Sequence, residues 1–265
     1  SLHGGVGTFV TNLVEELANY VDFIGLYTKA DPKRAIYLKN LPKNVKIIFA
    51  EKDELSFWIK LFFRIPQLSK YDMVHVIAPI SFFQMFLLDW LWGTPIIFTT
   101  HGPSLFQEFR IFSKAWLYIN LLEDLSQKLM MKIAKKTITI SREVQRRVLN
   151  RYGMAPEVIY HGVNQQHFRF NDDHRDAIRK SLGIGEEEYL ALFVGPLWKH
   201  KDILTLIEAI PKVLENNRKV KFLIIGRGSD YKRMMQKIDN LNINDYVITL
   251  EYVEDVAPYY SAADI

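Results

Sequence analysis

Apolar positions recur along this chain with two alternating periods. Phe9, Val10, Leu13, Val14 and Leu17 follow a glycine-rich HGGVG at three- and four-residue spacing, which predicts a one-faced helix over roughly 8–20. Short apolar runs then read as buried strands: DFIGLYT (22–28), VKIIFA (45–50), DMVHVIA (72–78), TPIIFTTHG (94–102) and TITIS (137–141). Long helical patterns lie around 113–134 and 142–152, and EVIYHGVN (157–164) closes this half.

The polar, aperiodic QQHFRFNDDH (165–174) reads as a linker, and beyond it the alternation restarts. Helices are predicted over 174–182, 201–217, 230–240 and 255–262, with strands at 189–195, 219–226 and 246–250. Strands alternating with helices of this length argue for parallel sheets covered on both faces, an α/β architecture. The glycine turn has no strand before it and YYSAADI (259–265) rises towards another strand, so both halves read as truncated. No internal repeat or low-complexity tract is visible.

With 265 residues, 49% hydrophobic and 24% charged, the composition is that of a globular protein of two moderate domains. There is no cysteine, which excludes disulfides and thiolate chemistry. Up to Asn164 the chain has 20 Lys and Arg against 14 Asp and Glu, a balance of +6; the remainder has 14 against 16, or −2. A basic first half suits anionic partners such as phosphates, nucleotides or acidic lipid surfaces, but the excess is too small to argue for nucleic acid. No signal peptide is apparent, and Gln84, Asp89, Gly93 and Pro95 interrupt the most apolar stretch, 80–98, which therefore does not read as a spanning helix.

Candidate chemistry gathers where strands turn into helices, the edge at which open parallel sheets bind ligands. In HGGVGTF, glycines let backbone amides approach an anion beside a helix N-terminus. From Gly5 the chain runs GVGTFV, with Val10 in the last slot of a dinucleotide fingerprint, and Tyr27 and Thr28 stand where a ribose-binding acid would be. No Gly-Lys-Ser/Thr follows, which disfavours a P-loop. FVGPLWKHK (193–201) and IIGRGSD (224–230) put glycines at strand exits of the second half. Lys201 reads as the start of a helix, against the dipole preference, a cation placed for an anion such as a diphosphate. His101 ends a strand at the same edge of the first half, whereas His75 inside DMVHVIA reads as a satisfied core histidine.

HGGVGTFV, YDMVHV, GTPIIFTTHG, TITISREV, VIYHGVN, FVGPLWKHKDILTLIEAI, FLIIGRGSD and YVEDVAPYYSAADI occur in the order seen in retaining glycosyltransferases of family 4, which this chain resembles over nearly its whole length. The resemblance implies the GT-B architecture: two Rossmann-like domains facing across a cleft, here 1–164 on the acceptor side and 165–265 on the nucleotide-sugar side. It implies transfer of a sugar, with retention and without metal or other cofactor, from a UDP-, GDP- or ADP-sugar to a sugar, glycan or lipid-linked acceptor. Gly4, Gly5 and Gly7 match a glycine loop against the donor diphosphate. His101 matches a histidine near the transferred sugar, Lys201 the lysine that neutralises the leaving diphosphate, and Gly226 and Gly228 a turn bordering the nucleotide. The expected setting is cytoplasmic, with the inner face of the membrane as a second site of action, and no nucleic acid partner.

The sequence departs from that pattern in three places. Pro196 replaces an arginine and Asp202 a glycine around Lys201; His161 and Asn164 stand in the usual N-G-V-D; and the E-x7-E segment would fall beyond Ile265, so residues 1–265 alone are expected to be inactive. Two alternatives stay open: a non-catalytic homologue that binds a nucleotide sugar or a partner enzyme, and a sugar-nucleotide epimerase on the same plan. SFWIKLFFRIPQL (56–68) puts Phe57, Trp58, Leu61, Phe62 and Ile65 on one helical face beside Lys60 and Arg64, which suits either packing on the sheet or a lipid interface. SREVQRRVLNRYG (141–153) reads as a helix with a solvated basic face.

Overall fold

The computed structural model describes residues 5–28, 41–50, 59–77, 82–103 and 114–265; Gly4, Phe57 and Trp58 lie outside them. Contacts divide the chain into two units, Ser1–Gly162 and Val163–Ile265.

In the first unit, α1 (Gly5–Leu17) leads into β1 (Ile24–Thr28), which pairs in parallel with β2 (Val45–Ala50). A four-stranded parallel sheet follows in the order β3 (Val74–Val76), β4 (Ile96–Thr100), β5 (Lys136–Thr139), β6 (Glu157–Val158). The described helices between them are α2 (Ile65–Leu68), α3 (Phe82–Trp92), α4 (Lys114–Ile133) and α5 (Arg142–Tyr152). β4 is closed on both faces: Ile96 and Phe98 are buried, and so are Thr99 and Thr100. Met85 and Leu88 of α3, Met130 of α4 and Val148 of α5 complete this core.

Local chemistry sets the helix ends. The Ser141 hydroxyl accepts a hydrogen bond from the Val144 amide at 3.1 Å, and Gly153, at φ 72°, closes α5 with its amide on the Leu149 carbonyl. The aromatic segment does not form the single helix its pattern predicts. Residues 59–62 are helical, Phe63 and Arg64 turn, and α2 restarts at Ile65. Pro66 is the cause: it lacks the amide a continuing helix needs, and its ring would crowd the preceding turn. Likewise α1 begins at Gly5, so Gly5 and Gly7 lie in its first turn rather than in a turn before it.

The second unit holds a parallel sheet β7 (Tyr189–Val194), β8 (Val220–Ile225), β9 (Val247–Leu250), with α6 (Asp172–Ser181), α7 (Ile203–Asn216), α8 (Tyr231–Asn240) and α9 (Ala257–Ala262). Alternation along β8 splits the core: Phe222 and Ile224 join Ile203, Ile207 and Ile210 on one face, while Leu223 and Ile225 join Leu190 and Ala262 on the other. The last residues run beside β7, where Asp264 N–H donates to the Leu190 carbonyl at 2.9 Å and Leu192 N–H to that of Ile265 at 2.8 Å. Among the described residues no helix is long and apolar enough to cross a membrane.

Candidate functional site

His101 follows the last residue of β4, at the carboxyl edge of the parallel sheet. The turn that carries it is tied down from several sides. Gln127, buried on α4, donates from Nε2 to Thr100 Oγ1 at 2.5 Å and to the Gly102 carbonyl at 2.9 Å. Thr139 Oγ1 donates to the Thr100 carbonyl at 3.2 Å, and Gly102 sits at φ +121°, where a side chain would be strained. These fix where the imidazole stands.

That imidazole is one of three rings in contact. Phe9, on the first turns of α1, stacks on His161 with centroids 4.1 Å apart and planes 13° from parallel. Phe9 meets His101 edge-on at 5.7 Å, and the two histidines are 5.9 Å apart. Burial, reinforced by the neighbouring His161, lowers the His101 pKa to about 4, so the ring is neutral near pH 7. Desolvation also lowers His161. His101 Nε2 is buried and has no hydrogen-bond partner among the described residues. A buried ring nitrogen without a partner is costly unless a ligand supplies one. Phe9 links α1, and with it Gly5 and Gly7, to the His101 turn; Gly4 lies outside the described residues. His75 differs: its Nε2 meets Thr99 Oγ1 at 2.7 Å within the sheet, as a core histidine should.

In the second unit, Gly226 and Gly228 leave β8 directly against the segment that leaves β7. A Cβ on Gly226 would lie 1.9 Å from the Gly195 carbonyl oxygen, and one on Gly228 2.1 Å from that of Leu197. Gly195 N–H donates to the Ile225 carbonyl at 3.0 Å, and Leu197 N–H to that of Arg227 at 2.8 Å. The two strand exits therefore form one backbone-packed platform. Arg227 projects from it over the Tyr252 ring, at 5.6 Å, with Nε 3.6 Å from a Glu251 carboxylate oxygen.

Lys201 does not begin an α-helix. It ends a 3₁₀ turn, Lys199–Lys201, and α7 starts only at Ile203. Asp202 separates them in the left-handed conformation, φ 50° and ψ 47°, and its carboxylate accepts from the Thr205 hydroxyl at 2.8 Å. The pattern missed this break because the apolar period of α7 gives no sign of one residue at positive φ. The turn holds three basic residues, Lys199, His200 and Lys201, at the carboxyl edge of β7, with Trp198 tilted against His200 at 5.6 Å. Such a cluster can neutralise an anion. Among the described residues no group of three or more His, Cys, Asp or Glu is placed to hold a metal ion.

Residues 3–167 match the family model Glycosyltransferase Family 4, and residues 174–265 match Glycosyl transferases group 1. An uncharacterized glycosyltransferase of Methanocaldococcus jannaschii is 27% identical over 203 residues, which span 74% of this chain and 51% of that protein. The chain thus matches about half the length of that relative. The alpha-monoglucosyldiacylglycerol synthase of Acholeplasma laidlawii is 24% identical over 285 residues, covering 100% of this chain and 70% of the synthase. In fold, the chain is similar to Anabaena HepE, crystallised in complex with UDP and glucose, at a TM-score of 0.74 and 18% identity, over 97% of this chain and 69% of HepE. A parallel α/β chain of the GT-B fold, matched by these models along both units, belongs to the family 4 glycosyltransferases.

Proposed function

We propose that the protein moves a sugar from a nucleoside-diphosphate sugar to an acceptor hydroxyl with retention of anomeric configuration. The bond from the anomeric carbon to the diphosphate breaks and one to the acceptor oxygen forms on the same face. The acceptor proton passes to the leaving diphosphate oxygen. The observation that carries the reading is His101: a neutral imidazole at a sheet edge whose buried Nε2 lacks a partner among the described residues suits a sugar hydroxyl.

Lys201, with Lys199 and His200 beside it, would offset the charge that grows on the diphosphate, a task that needs no metal ion. Gly226 and Gly228 would let the nucleotide lie close to the backbone, and Gly4, Gly5 and Gly7 would bring the amides of α1 to the diphosphate. On this reading residues 1–164 receive the acceptor, a sugar, glycan or lipid-linked sugar, and 165–265 bind the donor, in the cytoplasm. UDP is the first base to try, since HepE was crystallised with it. Pro196 beside the basic turn favours a second reading, a homologue that binds the nucleotide sugar without turning it over.

Calorimetric titration of the intact protein with UDP, GDP and ADP tests the donor site. One diphosphate should bind, and Lys201→Ala should weaken it about tenfold or more. If none binds to the folded protein, the donor reading fails. Given a donor, the anomeric coupling constant in the product's proton NMR spectrum reads retention directly. Binding without any transfer or donor hydrolysis would select the non-catalytic homologue.

A further inference from the structure

The basic turn at the exit of β7 cannot close on one anion with all three of its side chains. Lys199, His200 and Lys201 fill a single 3₁₀ turn, so successive side chains leave it about 120° apart. His200 is also engaged by the Trp198 ring at 5.6 Å. With Lys201 turned to a diphosphate, its two neighbours point elsewhere. Pro196, where the chain leaves β7, carries no charge. A second cation converging on the same anion has to come from another strand.

The register of the sheet singles one out. Val194 pairs with Ile225, and Ile225 with Leu250, across the three strands. The hydrogen bonds continue in step past the strand ends: Gly195 N–H to the Ile225 carbonyl, Leu197 N–H to that of Arg227, Gly226 N–H to that of Leu250. Two residues on from the paired Val194, Ile225 and Leu250, therefore, Pro196, Arg227 and Tyr252 stand abreast at the carboxyl edge. Partners in a parallel ladder project to the same face, about 4.8 Å apart. Arg227 lying over the Tyr252 ring agrees with this alignment. A cation thus stands beside the uncharged Pro196, one strand over.

That cation is lightly held. Its ion pair with Glu251 spans 3.6 Å between side chains 67% and 62% exposed, a kind of pair that is worth little in water. Other acids near the exits are engaged: Asp202 accepts from the Thr205 hydroxyl, Asp230 from Arg233, and Asp255 from the Ala257 amide while paired with His167. The exit of β9, residues 251–255, holds Glu251, Glu254 and Asp255 and no basic residue. It repels an anion towards Arg227 and the basic turn.

We propose that Arg227 is a second donor-binding cation, which leaves Glu251 and grips the diphosphate of the nucleotide sugar from the β8 exit while Lys201 meets it from the β7 exit. The guanidinium fork matches two phosphate oxygens at once, as an ammonium cannot. The inference rests on the donor site of the transferase reading and adds to it a residue which that reading does not use.

The test is calorimetry of the intact protein with UDP, GDP and ADP, each compared with its monophosphate. For the diphosphate that binds, Arg227→Met should weaken binding about tenfold or more, and should weaken the monophosphate by less. Pro196→Arg on the Arg227→Met background returns a cation to the neighbouring register position, and should recover most of the loss. Glu251→Gln keeps the arginine and removes its competitor, so it should tighten the diphosphate about twofold, and it serves if Arg227→Met folds poorly. Diphosphate binding that Arg227→Met and Glu251→Gln both leave unchanged overturns this proposal alone. So does an equal fall for monophosphate and diphosphate, which would put Arg227 on the nucleoside, or a loss that Pro196→Arg leaves uncorrected. Absence of binding by any diphosphate takes down the donor reading and this inference together.

Discussion

The His161 ring lies flat on Phe9, 4.1 Å between centroids, while His101 meets the same phenyl ring edge-on. This packing desolvates His101 and puts a second imidazole 5.9 Å away, so protonation of His101 is resisted down to about pH 4. The unfolded chain takes up that proton near pH 6.5, earlier than the folded one. Stability from the neutral ring is therefore complete above about pH 6.5 and declines as pH falls towards 4. Urea unfolding at pH 7.0, 5.5 and 4.5 should give a shallower decline for His101→Gln than for the parent. Equal slopes would mean that His101 is not held neutral by the fold.

The platform of the second unit makes a sharper demand. At Gly226 and Gly228 the first atoms a methyl group would meet are backbone, at 1.9 Å and 2.1 Å, and backbone cannot swing aside as a long side chain can. Gly226→Ala and Gly228→Ala should each cost about 3 kcal/mol or more in urea unfolding. Gly195→Ala is the control, because its Cβ would meet only the Phe193 ring, at an ordinary 3.6 Å, and should change little. If Gly226→Ala unfolds like Gly195→Ala, the two strand exits are not packed as described.

Much of this fold could be read along the chain because its elements are periodic and capped. VKIIFA is bounded by its own apolar run, and α5 by Ser141 and Gly153, residues whose chemistry stops a helix in any surroundings. The segment 56–68 misleads for the opposite reason, since its apolar spacing persists through Pro66 while the backbone cannot. The site was legible only in part. His101 and the glycine turns stand out because they end strands. Phe9 reads as one more apolar position on α1, and Gln127 as one more polar position on α4. Only the parallel topology, which gathers strand ends far apart in sequence, makes one a neighbour of His101 and the other its anchor.

Asp202 joins two helical turns while itself left-handed, at φ 50°. An L-residue resists that conformation, and Asp is among the few that tolerate it, helped here by its bond to the Thr205 hydroxyl. Asp202→Ala and Asp202→Gly both remove the carboxylate, but only alanine keeps the steric penalty. The glycine variant should thus be the more stable of the two by about 1 kcal/mol in urea unfolding. A glycine variant no more stable than the alanine one would argue against the left-handed residue between Lys201 and α7.

Arg179 is 6% exposed, and its guanidinium ties residues 262–264 to the turn at 185–188. It donates to the Asp264 carboxylate at 3.2 Å, to the carbonyls of Ala262 and Gly185 at 3.2 and 2.8 Å, and to that of Glu188. Burial acts to raise the Asp264 pKa, but the Leu190 amide, Arg175 and Arg179 outweigh it, and the net shift is downward. Stability from Asp264 is therefore present above its ordinary 3.8 and lost as pH falls below it. Arg179→Met removes a buried charge whose partners remain, and should cost about 3–5 kcal/mol. Asp264→Asn on that background should cost less than it does in the parent, because the carboxylate has already lost one of its two cations. A double-mutant cycle by urea unfolding gives the difference directly. Strict additivity would show that Arg179 holds the terminal segment through its carbonyl bonds alone, and that the ion pair adds nothing to them.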